Sequence, residues 1–268
     1  MSVDAVYQNL IRRLLTSGER VRTRNGNCRR LLWERLTFSA TPLIALRRTA
    51  WRNCLREWEW FMSGSSFIQE LHPTVRHWWQ PWADDNGEVL FNYSHQLRAF
   101  QGNRRQIDQV GFLLQGVREH PFSRRNCATT WNAAEMADPD CPITNCHGSW
   151  IQLAVDTENR LHLRTFQRSV DVVCGLPHNW LQYWGFLLWL AHHGGRQVGS
   201  LVWEGGDNHL YQQHEELACR LLAVDLKELS PTPALVYDRE ANENFRADDF
   251  SLSAVYAPVL EDRAEMVV

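Results

Sequence analysis

The run "WLQYWGFLLWLA" at residues 180–191 is the strongest constraint on how this chain folds. Its side chains are apolar nearly all the way round a helix, and such a helix lies inside a protein rather than on it. It is too short to cross a bilayer, which takes about 20 residues. Residues 179–193 therefore read as a buried helix that neighbouring elements must cover. With 268 residues the chain is long enough to bury such a core without covalent staples. Its 44% hydrophobic and 22% charged residues are those of an ordinary soluble globular protein.

Candidate covering elements can be read from periodicity. Residues 149–176 alternate as a β-hairpin with Asp156–Asn159 as its turn. Residues 30–38 and 200–206 read as strands, and 3–16 and a stretch near 210–224 as helices. "RTRNGNCRR" (22–30) reads as a loop pivoting on Asn25 and Gly26, and 82–89 as a turn. Thr49 to Met62 reads as a helix with Trp51, Leu55, Trp58 and Met62 in one stripe. Glu57 and Glu59 flank that stripe on either side, and the helical period does not choose between them. No repeat or Pro/Gly-rich linker divides the chain, so one domain is expected over residues 1–268. The mixed order of helices and strands predicts an α+β layered fold.

A net charge of −3 argues against a general nucleic-acid or membrane-surface binder. The amino-terminal "MSVDAVYQNLIRRLL" has no apolar signal core, and the seven cysteines are irregularly spaced. Reduced thiols and a cytoplasmic location are the expectation. In "CPITNCHGSW" (141–150), a Cys141–Cys146 disulfide does not suit that compartment, and the paired spacing of a metal site is missing. No metal is expected. Lys227 is the only lysine, and twelve arginines fall between Arg12 and Arg56. A GC-rich genome accounts for that bias, and arginine forks also suit a phosphate or carboxylate site. Thirteen tryptophans raise the alternative of a stacking platform, but their helical spacing favours core packing.

Four short segments carry the chemistry: "REWEWFMSG" (56–64), "SRRN" (123–126), "FQRSVDVVCGLPHN" (166–179) and "GGDNHLY" (205–211), around "NCH" at 145–147. Singly each is weak, since a lone cysteine is usually a small core residue. Together, and in this order, they resemble the thymidylate synthase superfamily, which includes the phage-type pyrimidine-nucleotide hydroxymethylases. The resemblance runs from about Arg22 to the carboxyl terminus. It implies the thymidylate synthase fold, a mixed sheet layered with helices whose open face forms a homodimer interface. It implies a folate-dependent transferase acting on a pyrimidine deoxynucleoside monophosphate, with 5,10-methylenetetrahydrofolate as co-substrate.

The resemblance also assigns roles by position. Cys146 is the thiolate that bonds to C6 of the pyrimidine. Arg168 favours that thiolate and holds the phosphate, joined by Arg24, by Ser169, and by Arg124 and Arg125 from the second subunit. His209 and Tyr211 hold the sugar 3′-hydroxyl, and Gln167 belongs to the substrate site. Glu57 handles protons through water, which breaks the Glu57/Glu59 tie, and Tyr93 assists proton removal at C5. Asp171 contacts the folate pterin, with Trp79 and Gly175 beside it. Asn179 reads the base: an amide can donate to O4 and accept from N3–H, the pattern of uracil, whereas the dCMP enzymes carry aspartate. An N-cap role for Asn179 is compatible with that.

Several departures bear on the product. "WQPWAD" (79–84) stands where synthases have W-D-E-W-A-D, "FNYS" (91–94) where they have V-Y-G, and "REWEW" (56–60) where they have H-E-L-L-W. All three are closer to the hydroxymethylases. The synthase Lys and His of the folate site are Arg47 and Ala50, the Pro before the cysteine is Asn145, and the Phe of L-P-F-N is His178. Asn145 and His178 are expected to add polarity where hydride transfer favours a dry site. These departures predict a dUMP hydroxymethylase, natural to a phage with modified DNA and so to a host cytoplasm. Thymidylate synthase is the alternative, followed by a dCMP or CMP hydroxymethylase or a non-catalytic nucleotide binder. The tail "APVLEDRAEMVV" keeps the synthase A-P-V and runs beyond it.

Overall fold

A computed structural model describes residues 2–142, 145–238 and 240–267, so two positions of the 141–150 stretch, 143 and 144, lie outside the described residues. The helices are α1 (Val3–Ser17), α2 (Trp51–Ser63), α3 (Pro73–Trp79), α4 (Tyr93–Ala99), α5 (Gln109–Glu119), α6 (Ala133–Met136), α7 (Leu176–His193) and α8 (Glu215–Ala223). The strands are β1 (Glu19–Thr23), β2 (Gly26–Phe38), β3 (Phe100–Gln101), β4 (Gln106–Ile107), β5 (Cys127–Ala128), β6 (Trp150–Val155), β7 (Arg160–Asp171), β8 (Gln197–Tyr211), β9 (Leu235–Tyr237) and β10 (Phe250–Leu252).

Six strands form one sheet in the order β1-β2-β8-β7-β6-β5. β7 and β8 run parallel and the other pairs antiparallel, so the sheet is mixed. The α7 helix, predicted from its apolar run, packs on β7 and β8 and against α2. Trp180, Leu181, Tyr183, Phe186 and Leu187 on it are fully buried. The α1 helix lies against β2 and β8, so helices cover one face of the sheet and the core lies between. This is the α+β arrangement expected.

The other face carries Trp33, Arg35, Trp150, Arg164, Phe166 and Glu204, placed there by strand alternation. Arg164 pairs with Glu204 at 2.9 Å, and Trp33 is stacked on Phe166 while remaining 74% exposed. No described helix is long and apolar enough to cross a membrane.

One row of the sheet is interrupted across three strands, at Trp33, Gly206 and Arg168. Pairing runs through Leu32–Asp207 and Glu34–Gly205, and through Gln167–Gly205 and Ser169–Asp207, but skips the residues between. Trp33 takes a positive φ of 62° there. A Cβ on Gly206 would come within 2.6 Å of the Arg168 carbonyl oxygen, so this position takes only glycine. The Arg168 N–H leaves the ladder and donates to the Cys146 carbonyl at 2.9 Å. An irregularity of this kind re-aims a side chain. Here it ties Arg168 to the loop that holds Cys146.

Some element boundaries differ from those read in the sequence. Residues 22–30 are not a loop but the centre of the β1–β2 hairpin, turning at Arg24 and Asn25, with Thr23 paired to Gly26. Their mostly polar side chains lie on a sheet edge, so no apolar alternation marks them as strand. The strand expected at 200–206 extends over 197–211, and the helix expected near 210–224 is confined to α8. The motif GGDNHLY therefore lies inside a strand rather than at its exit.

Candidate active site

Cys146 sits on the loop entering β6, and its Sγ accepts a hydrogen bond from Arg168 Nη2 at 3.1 Å. Its backbone N–H donates to Tyr93 Oη at 2.7 Å, and that of His147 donates to the same oxygen at 3.3 Å. Tyr93 is held there by the start of α4, where the Asn92 side chain caps the helix by accepting from the His95 N–H. Burial pushes the Cys146 thiol up; the Arg168 guanidinium opposes this most strongly, with help from Tyr93 and the charge of Arg24. Arg168 also donates to the Asn145 carbonyl at 3.3 Å and lies over the Trp131 ring.

From the covered side of the sheet a line of amides crosses the core. Trp203 Nε1 donates to Gln167 Oε1 at 3.0 Å, and Gln167 Nε2 donates to Asn179 Oδ1 at 2.8 Å. Asn179 Nδ2 donates to Gln182 Oε1 and to His147 Nε2, each at 3.2 Å. Gln182 Nε2 donates to Glu57 Oε2 at 2.7 Å, and Trp79 Nε1 donates to Glu57 Oε1 at 2.6 Å. Burial pushes the Glu57 carboxyl up to about 7, even though both hydrogen bonds pull it down. Burial also lowers His147 to about 4, so its imidazole is neutral and accepts at Nε2. The Tyr93 ring packs against His147 and Trp79, which closes the cluster.

Glu57 and not Glu59 faces this network; Glu59 accepts from the Ala247 N–H on the far side of α2. His209 and Tyr211 share one face of β8, with ring centroids 4.9 Å apart, and His209 Nδ1 lies 3.1 Å from Asp207 Oδ1. Ser169 pairs with Asp207 in the β7–β8 register. Asp171 ends β7, its Oδ1 accepting from the Val173 and Cys174 N–H groups at 2.9 Å each. Its buried Oδ2 has no hydrogen-bond partner among the described residues, although His214 stands 3.3 Å away as an ion-pair neighbour. A carboxylate can accept from the N–H edge of a pterin, and Asp171 is the residue at this end of β7 with that chemistry. Gly175 caps the start of α7, where an added Cβ would lie 3.4 Å from Asn179 Oδ1.

Arg24 stands exposed at the β1–β2 turn, whereas Arg124 and Arg125 are exposed in the turn before β5, at the opposite edge of the sheet. One chain does not bring them together. Gln167 and Trp79 are also not open to a ligand: both are buried, Gln167 behind Asn179 and Trp79 beneath Glu57.

The expectation about polarity is corrected for His178 and in part for Asn145. Asn145 is fully buried and donates to the Phe91 and Thr130 carbonyls at 3.0 and 3.2 Å, so its amide ties loops together below the cleft. His178 has Nδ1 3.0 Å from the Cys174 carbonyl and accepts from the Ala50 N–H at Nε2, so both ring nitrogens are engaged. His178 thus has no free ring nitrogen, whereas the Asn145 Oδ1 is buried with no hydrogen-bond partner among the described residues. Arg47, at the synthase lysine position, is likewise buried and donates to the Val173 carbonyl. One residue of the network escaped the sequence reading. Gln182 is fully buried, and its signal was an amide within an otherwise apolar run.

A thiol beside an arginine, a tyrosine at its back and a carboxyl titrating near neutrality define a site for covalent catalysis on an electrophilic ring. Residues 5–268 match the thymidylate synthase family, and the chain belongs to it. The family's reaction is folate-dependent one-carbon transfer to C5 of dUMP, with methylenetetrahydrofolate as co-substrate.

Proposed function

We propose that this chain is a deoxyuridylate hydroxymethylase. The Cys146 thiolate adds to C6 of dUMP, which makes C5 nucleophilic. The reduced folate, when bound, supplies the one-carbon unit, and Asp171 is the residue suited to hold its pterin. Tyr93 then assists loss of the C5 proton. Water adds to the exocyclic methylene at C5 as Cys146 leaves C6, giving 5-hydroxymethyl-dUMP. The observation that carries this reading is Glu57, half-buried, hydrogen-bonded at both oxygens and titrating at about 7. A group so poised takes a proton from water at neutral pH. The sequence departures at Gln80, Asn92 and Arg56 point the same way.

Asn179 reads the base. Both of its N–H groups are engaged inside the protein, so the expected donation to O4 is not open to it, and Oδ1 keeps one lone pair beyond the bond from Gln167. That lone pair suits uracil N3–H and opposes the bare N3 of cytosine. His209 and Tyr211 hold the 3′-hydroxyl, and Arg168, Arg24 and Ser169 hold the phosphate. Arg124 and Arg125 come from a second copy docked on the open sheet face, which is consistent with their place at the opposite edge from Arg24.

Methyl transfer giving dTMP is the second reading, favoured by the burial of Asn145 and by the engagement of both His178 ring nitrogens with backbone groups. Incubation with dUMP and methylenetetrahydrofolate, followed by mass spectrometry, separates the two. We expect a product heavier than dUMP by CH2O, together with tetrahydrofolate. dTMP with dihydrofolate would overturn the hydroxymethyl assignment.

A further inference from the structure

The amide line from Trp203 to Glu57 has a fixed direction. An indole N–H can only donate, and an ionised carboxylate can only accept. With Trp203 at one end and Glu57 at the other, Gln167, Asn179 and Gln182 must all point their carbonyls towards Trp203 and their amino groups towards Glu57. Gln182 is the one member that touches both the base-reading amide and the proton-handling carboxyl. It is fully buried on α7 and also donates to the Cys54 carbonyl at 3.0 Å, which anchors it to α2.

We propose that Gln182 is a positioning residue with two separable tasks: its carbonyl holds one N–H of Asn179 away from the base, and its amino group holds Glu57 in its ionised form. The proposal rests on the roles given above to Asn179 and Glu57. By occupying an Asn179 N–H, Gln182 keeps the acceptor edge of that amide as the one offered to the base, which selects uracil. By donating to Glu57 Oε2, it favours the carboxylate over the acid and directs any incoming proton to the remaining lone pairs. Base choice and proton handling are thereby set by one side chain that touches neither substrate.

The other groups around Glu57 leave its titration recognisable. Cys54, on the same helix, and Cys174, in the turn before α7, are the titratable neighbours. Burial pushes both thiols up, Cys54 well above its ordinary value and Cys174 to about 12, so neither ionises near pH 7. His147, reached through Asn179, is neutral there.

Two variants separate the tasks. Gln182→Met keeps the volume and removes both hydrogen bonds. Gln182→Glu keeps the acceptor for Asn179 but replaces the donor to Glu57 with a second carboxyl. Affinities for dUMP and dCMP are measured by calorimetry, and the pH dependence of dUMP consumption is followed with methylenetetrahydrofolate present. In Gln182→Met the preference for dUMP over dCMP should fall about tenfold, the effect of one hydrogen bond. The acid limb of the rate profile should move to higher pH. In Gln182→Glu the dUMP preference should stay while the acid limb moves up, because a like charge disfavours ionisation of Glu57.

Unchanged preference and an unchanged limb in folded Gln182→Met would overturn the proposal, as would an unmoved limb in Gln182→Glu. A general loss of rate with the same profile and the same base preference would leave Gln182 a packing residue only, which also overturns it. If the unaltered protein binds dCMP as well as dUMP, the base-reading role of Asn179 fails instead, and the limb shifts still decide the Glu57 half.

Discussion

Cys146 lies where two opposing influences meet, burial raising its thiol and Arg168 favouring the thiolate. The guanidinium contacts the sulfur at 3.1 Å and is held by the Asn145 carbonyl behind it. Removing that charge should leave burial unopposed by its strongest counterweight. We therefore expect Arg168→Met to shift the pH profile of Cys146 alkylation by iodoacetamide to higher pH, with alkylation at neutral pH slowed roughly tenfold or more. An unshifted profile, read by mass spectrometry at Cys146, would show that Arg168 does not activate the sulfur. The identity of these residues was legible in the sequence, because the motifs are contiguous. Helical periodicity left Glu57 and Glu59 tied and the motif resemblance chose Glu57; what each carboxylate touches came only from tertiary contacts.

At the scale of elements, the interrupted row of β2, β8 and β7 is what brings Arg168 to Cys146. Gly206 makes the close approach possible, as an added Cβ would meet the Arg168 carbonyl oxygen at 2.6 Å and the Phe166 ring at 3.0 Å. Backbone cannot yield as a flexible side chain can. Gly206→Ala should cost about 1–3 kcal/mol of stability, the usual range for overpacking, seen as a lower urea midpoint. Its catalytic rate should fall together with the stability, since the strain acts on Arg168. A stable, fully active variant would mean that the strands separate without moving the guanidinium. The β1–β2 hairpin shows the reverse relation between sequence and element. Polar, arginine-rich strands on an exposed edge have no apolar period, so the segment resembled a loop until its pairing was seen.

For the whole molecule, the open sheet face and the two arginine groups at opposite edges lead to a prediction about assembly. If Arg124 and Arg125 serve the site of a second copy, two inactive variants can repair each other. Mixing Arg124→Ala with Cys146→Ala under conditions that exchange subunits should restore a substantial fraction of activity, because one site in the mixed dimer has all its groups. No recovery, with exchange verified by native mass spectrometry, would exclude sharing across an interface. Trp33, exposed and stacked on Phe166, lies on the face that would be covered.

By itself the sequence determined that α7 is buried, that β6 and β7 form a hairpin, and which family motifs are present. Each of these is written in a local period or a contiguous string of residues. The tertiary structure alone decided the direction of the amide line, because that depends on a donor in β8 and an acceptor in α2, far apart in sequence, meeting through the three side chains between them. It also decided that Asn145 and His178 are engaged by backbone groups, since hydrogen-bond partners follow from packing and not from residue type. The apolar run that first demanded a buried helix contains both answers. Its hydrophobic residues set where α7 goes, and Gln182, the amide among them, acquires a meaning only from what surrounds it there.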